Sequence, residues 1–142
     1  MKLEELLKKG LIHKQSIDND EIAGSIAVSE HFLKRAKGNL KMGFFDVAFL
    51  LAYNAMFHTA RALLFYKGYK ERGHYAMIEA LKELYKEDSQ LQEYLKVLDL
   101  YRITRHSIQY SGELSNELDA EAITKDAERF INFVKVERKI VH

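Results

Sequence analysis

An all-α fold is what this sequence predicts, on three observations. The chain of 142 residues has no proline and only seven glycines, so few positions interrupt a helix. Four long segments repeat apolar residues at steps of three and four, the period of a helix with one buried side. No stretch alternates apolar and polar residues as a half-buried strand does. The expected architecture is an up-and-down four-helix bundle with an extra short helix and an N-terminal helical extension. Residues 1–17 would form the extension and 18–142 the domain.

Residues 2–9 (KLEELLKK) predict a short helix with Leu3, Leu6 and Leu7 on one side, closed by Gly10. Ser16, Asp18 or Asn19 can cap a second helix running to about Lys41, with Ile22, Ile26, Ser29, Leu33, Ala36 and Leu40 inward. Lys34, Arg35, Lys37 and Lys41 make its far face and last turn basic, which is read as a solvated face complementing the helix dipole. Met42-Gly43 is a tight break that sends the next helix back antiparallel.

That next helix, Phe44 to Lys67, is the element the chain is built around. Val47 to Ala60 contains no charged side chain, and alanines at 48, 52, 55, 60 and 62 let neighbours approach closely. Asn54, His58 and Arg61 fall in one narrow arc of this apolar cylinder. A dry, unpaired polar group costs about 1–3 kcal/mol, so the arc needs either structural neighbours or a ligand. Gly68 to Gly73 reads as a loop bounded by glycines. A fourth helix, His74 to Glu87, turns Met77, Ile78, Leu81 and Leu84 inward. Asp88 or Ser89 caps a fifth from about Gln90 to Gln109, which Gly112 helps to stop. After a polar turn with Asn116 and Asp119 as candidate caps, the last helix runs from Ala120 to about Val141 on Ile123, Ala127, Phe130, Ile131 and Val134.

A net charge of +1, from 22 basic and 21 acidic residues, weakens a dedicated polyanion-binding role without removing a local basic patch. Without cysteine there is neither a disulfide framework nor a thiolate zinc site, which suits the cytoplasm. The N-terminus has Glu4 and Glu5 and no continuous apolar core, so it is not read as a signal peptide. The apolar run of the central helix falls short of the roughly 20 residues a bilayer requires, and no membrane segment is expected. The histidines and acids lack metal-ligand spacing and no glycine-rich phosphate loop is present, so neither a metal nor a cofactor is expected.

The fifth helix carries the chemistry. Leu91, Leu95 and Leu98 form an apolar stripe whose continuation lands on Arg102, Arg105 and Gln109, so the packing face turns cationic in its last two turns. Arginines there face a cleft, a partner subunit or solvent, and cations near a helix C-terminus are also stabilising by about 0.3–1 kcal/mol each. His58, beside Asn54 and Arg61, reads first as a satisfied core histidine and second as a cleft donor. His74, just past Gly73, can steady the loop or meet an anion at a helix N-terminus. His13, His31 and His142 are isolated.

Ala52 to Tyr69 (AYNAMFHTARALLFYKGY), His74 opening the next helix, and Leu100 to Tyr110 (LYRITRHSIQY) together resemble the HEPN superfamily, helical domains named for higher eukaryotes and prokaryotes nucleotide-binding. They resemble in particular its small stand-alone prokaryotic branch, often encoded beside minimal nucleotidyltransferases. The resemblance covers residues 20 to 138. It implies a homodimer formed through the fifth helix, a nucleotidyltransferase partner in a toxin-antitoxin-like pair, and nucleotide or RNA as ligand.

Toxin-type ribonucleases of this superfamily carry an arginine, commonly followed by a polar residue, with a histidine four to six residues further on. Laid on this chain, Arg105 takes the arginine position, His106 the polar one, and Tyr110 stands where the histidine belongs. Arg102 and His106, with three residues between them, miss the spacing. A neutral phenol is a poor base at pH 7, so the ribonuclease motif reads as degenerate. The implied groove is lined by Arg102, Arg105, His106 and Tyr110, with Tyr53, Asn54, His58, Arg61 and His74 nearby. Two other readings stay open: a metal-independent endoribonuclease using Arg105 and His106, and a helical scaffold with no ligand. Arg105 and His106 diverge by about 100° around the helix axis, so a catalytic site would need a second copy.

Overall fold

The computed structural model describes residues 1–140. In order the elements are α1 (Leu3–Lys8), β1 (Ile12–Lys14), α2 (Asn19–Lys41), α3 (Phe45–Tyr66), β2 (Tyr69–Glu71), α4 (His74–Leu84), α5 (Ser89–Ser111) and α6 (Glu117–Asn132), followed by a π-helical turn, Phe133–Glu137. The chain is mostly helical, as its composition and periodicity predict.

The starts of α2, α5 and α6 follow the side chains that can accept from the first-turn amides. Asp18 accepts from the Glu21 amide at 2.9 Å, Asp88 from Leu91 at 3.0 Å, and Asn116 from Asp119 at 2.8 Å. Gly112 takes a left-handed conformation (φ +71°) that ends α5, where a side chain would be strained.

Helix α3 is the hub and packs against α2, α4, α5 and α6. Its Ala52, Ala55, Ala60 and Ala62 are fully buried and allow the close approach that larger residues would block. Lys37 pairs with Glu128, and Lys135 with Glu30 at 3.0 Å, so α2 and α6 run in opposite directions. Helices α5 and α6 meet through long side chains: Tyr94 stacks on Phe130 at 4.9 Å, and the Tyr101 hydroxyl donates to Asp126 at 2.6 Å. At 22 residues, α3 is long and apolar enough by length and composition to cross a membrane, contrary to the length estimate from its uncharged run. Two thirds of the relevant window is buried against its neighbours (67%), as in a core helix.

Three expectations are corrected. Gly68 to Gly73 is not wholly loop: β2 pairs antiparallel with β1, Ile12 opposite Glu71, His13 opposite Lys70 and Lys14 opposite Tyr69. Strands of three residues hold too little alternation to register as a pattern, and the pairing joins segments far apart in sequence. The sheet braces the N-terminal segment, whose Leu6 and Ile12 are fully buried. Second, α6 begins at Glu117, not Ala120, because Asn116 supplies the cap. Third, α6 gives way to the π-turn at Phe133, in which Phe133 and Val134 are buried. His142 and the expected helix end at Val141 lie outside the described residues.

Candidate functional site

Helix α3 supplies the floor of the site with Tyr53, Phe57 and Arg61, α4 begins at its edge with His74, and α5 brings Arg102 and Arg105 across the top. Gly73 makes this meeting possible, because its φ of +136°, readily adopted only by glycine, turns the chain from β2 directly into α4. His74, the first residue of that helix, then stacks on Phe57 with ring centroids 3.9 Å apart and on Tyr53 at 5.6 Å.

The Tyr53 hydroxyl lies 2.7 Å from His74 Nδ1. Tyr53 is fully buried, and among the described residues Nδ1 is the acceptor available to its O–H hydrogen. The tautomer with its hydrogen on Nε2 gives the buried Tyr53 O–H that acceptor, Tyr53 donating to Nδ1. Burial first, opposed by the Arg105 charge, pushes the Tyr53 phenol up to about 12. His74 is driven the other way, down to about 4, by burial first and then by Arg105, Arg61 and Arg102. At neutral pH both groups are uncharged.

Arg105 lies with its guanidinium 5.1 Å above the Tyr53 ring, Nη2 3.3 Å from His74 Nδ1, and Nη1 donating to Gln109 at 3.0 Å. Its Nε is buried and has no partner among the described residues. The other two arginines are neutralised. Arg61 donates from Nε and Nη2 to the two carboxylate oxygens of Glu71 at 3.1 and 2.9 Å, and its guanidinium sits 4.8 Å from the Phe57 ring centroid. Arg102 donates to Asp99 at 3.0 Å and lies over Tyr75 at 5.4 Å. Among the described residues no carboxylate pairs with Arg105, so the cluster carries one uncompensated positive charge.

Of the residues singled out in sequence, Tyr53, Arg61, His74 and Arg105 converge, with Arg102 at the rim through Tyr75. His58 is one ring further out, stacked on Phe32 at 5.6 Å and edge-on to Phe57 at 5.4 Å. Its imidazole is shifted down by burial and then by Arg61. Asn54 is half-buried, and its side chain makes no protein hydrogen bond among the described residues. The arc of Asn54, His58 and Arg61 is thus half-open rather than buried. His106 and Tyr110 face elsewhere: both are exposed, and their rings pack on each other at 4.7 Å. Arg105 and His106 do not meet within the chain.

Phe57, Glu71, Asp99 and Tyr75 escaped the reading of the sequence. Asp99 was findable, since it stands three residues before Arg102 on one helix. Glu71 was not, because only the β1–β2 pairing places it against Arg61.

Fold and site together define a small helical domain with a half-open cationic cluster and, among the described residues, no group of three or more acids or histidines arranged to hold a metal ion. The chain belongs to the HEPN domain family, which matches residues 25–138. It is 32% identical over 120 residues to a UPF0332 protein of Archaeoglobus fulgidus, covering 82% of this chain and 94% of the relative. It is 27% identical over 128 residues to a protein of Methanocaldococcus jannaschii named as a candidate toxin, covering 89% and 94% respectively.

Proposed function

We propose that this chain is a nucleotide- or RNA-binding HEPN module that works as a homodimer in the cytoplasm, as the toxin-like half of a pair with a minimal nucleotidyltransferase, and that its ribonuclease motif is degenerate. In this reading α2, α3, α5 and α6 are the up-and-down four-helix bundle of a domain spanning residues 18–142, and residues 1–17 are a brace. The carrying observation is Arg105: a guanidinium with no carboxylate partner, fixed over Tyr53 beside a neutral His74. A cation so placed favours an anionic ligand, and phosphate oxygens match its fork of donors. The toxin name of the M. jannaschii relative supports the same assignment.

Degeneracy rests on Tyr110 and on the separation of Arg105 from His106. Cleavage of RNA needs a group that takes the 2′-hydroxyl proton, and His74 is a poor candidate when its Nδ1 already accepts from Tyr53. His106 would have to arrive from a second copy to serve.

Two assays on the purified protein test this. Calorimetry against a single-stranded RNA and against mononucleotides should show binding that Arg105→Ala weakens at least tenfold, the equivalent of one charge-assisted hydrogen bond at about 1.5–3 kcal/mol. RNA incubated with the parent should stay intact. Cleavage by the parent that disappears in Arg105→Ala would instead establish the endoribonuclease with Arg105 and His106, and absence of any binding would leave the ligand-free scaffold. Copurification with a co-encoded nucleotidyltransferase checks the partner.

A further inference from the structure

We infer that a single chain already holds a phosphate-binding site, in which Arg105 and the Nε2–H of His74 grip one phosphodiester oxyanion and Tyr53 is the positioning residue that makes His74 a donor. The inference rests on the binding reading above and names the part of the ligand that is recognised.

The donors are arranged, and among the described residues no anion faces Arg105. Arg105 has five N–H hydrogens; Gln109 takes one from Nη1, while Nε has no partner among the described residues. Its Nη2 lies 3.3 and 3.5 Å from the two ring nitrogens of His74, and the guanidinium also donates to the Tyr53 hydroxyl oxygen. Nδ1 has a single lone pair, already occupied by the Tyr53 hydroxyl, and Nε2 carries a hydrogen of its own. The Nε2–H and the guanidinium thus lie side by side, and among the described residues no carboxylate pairs with Arg105, an arrangement that an anionic oxygen completes. The stack of His74 on Phe57 and Tyr53 fixes the ring plane, so the Nε2–H direction is set before a ligand arrives. No side chain caps the first turn of α4, where His74 stands, so backbone amides beside the imidazole add further donors.

Charge selects the kind of phosphate. With Arg61 held by Glu71 and Arg102 by Asp99, one cation is uncompensated, which matches the single negative charge of an internal phosphodiester. Neutral donors complete its coordination without adding charge. A second chain is not needed, because all the groups belong to α3, α4 and α5 of one copy.

Nitrogen-15 spectra of histidine in the intact protein, titrated with a single-stranded RNA and separately with inorganic phosphate, test the site. The free protein should show the Nε2–H tautomer of His74, and RNA should shift that nitrogen and the amides of residues 73–76. Phosphate in large excess should shift the same signals and displace the RNA. His74→Ala should weaken RNA binding about 10- to 100-fold, the range expected for one hydrogen bond to a charged group. His74→Gln, which retains a neutral N–H donor, should restore most of it. Tyr53→Phe should change the His74 tautomer mixture and weaken binding by a smaller factor. RNA binding unchanged in His74→Ala with His74 signals unmoved would overturn this site while leaving the binding reading intact. Phosphate that neither shifts His74 nor competes would overturn the oxyanion assignment. A parent that binds no RNA would remove both together.

Discussion

His74 is stacked on Phe57 and Tyr53 with a guanidinium beside its ring, an environment that favours imidazole over imidazolium. Stability should follow. Its folded pKa of about 4 lies below the unfolded value near 6.5, so the unfolded chain takes up a proton that the folded chain does not. The contribution is fully present above about pH 6.5, is lost as pH falls toward 4, and changes no further below that. Discounted for the open side of the ring, the loss is about 1–2 kcal/mol, and His58, shifted in the same direction, adds to it. Urea unfolding at pH 7 and pH 4.5 should show a steeper acid loss in the parent than in His74→Gln; parallel losses would mean that His74 does not titrate as its surroundings require. Because Arg105 is the charge nearest the ring, Arg105→Ala should move the His74 titration upward, measurable in the same nitrogen-15 spectra.

Between residue and fold lies the small β1–β2 sheet, whose task is to carry Glu71 to Arg61. The Glu71 side chain is 7% exposed and that of Arg61 29%, so this pair is largely withdrawn from water. Glu71→Ala leaves a half-buried guanidinium without its partner, at a cost of about 1–3 kcal/mol in thermal or urea unfolding. It should also loosen β2 and the start of α4, seen as faster hydrogen exchange in residues 12–14 and 69–74; unchanged exchange would mean the sheet is held by its backbone alone. This element also marks where the sequence stopped being legible. The starts of α2 and α5 could be read because Asp18 and Asp88 act on amides three residues away, whereas that of α6 falls three residues earlier than the sequence suggests, Asn116 and Asp119 both offering a cap. The inward turn of Arg105 could be read from Leu91, Leu95 and Leu98, which lie on the same helix. The meeting of His74 with Tyr53, the pairing of Glu71 with Arg61 and the π-turn at Phe133 could not. Each depends on segments brought together by the whole fold or on a local widening of the helix that leaves no periodic trace.

At the scale of the molecule, the outer face of α5 remains unaccounted for within one chain. Leu100, Ile103 and Tyr110 are 66%, 55% and 65% exposed, and with Ser107 they recur at steps of three and four, the spacing of a helix seam that packs against another helix. A twofold pairing through α5 would bury this stripe and is the dimer proposed above. The inward side of the same helix holds Arg105, so the seam and the anion site occupy opposite faces and can be broken separately. Ile103→Glu places a charge in the seam without touching the core. Light scattering should show the parent at about twice the 16.6 kDa chain mass and the variant at the chain mass, with a melting temperature little changed because the residue is exposed. RNA binding then separates the two uses of α5. If each chain has its own phosphate site, the Ile103→Glu monomer keeps the intrinsic affinity for a short RNA that spans one site and loses the avidity of the dimer for a longer one. If binding to the short RNA vanishes with the dimer, the site is shared across the twofold axis, and the second copy must supply what Arg105 and His74 cannot hold alone.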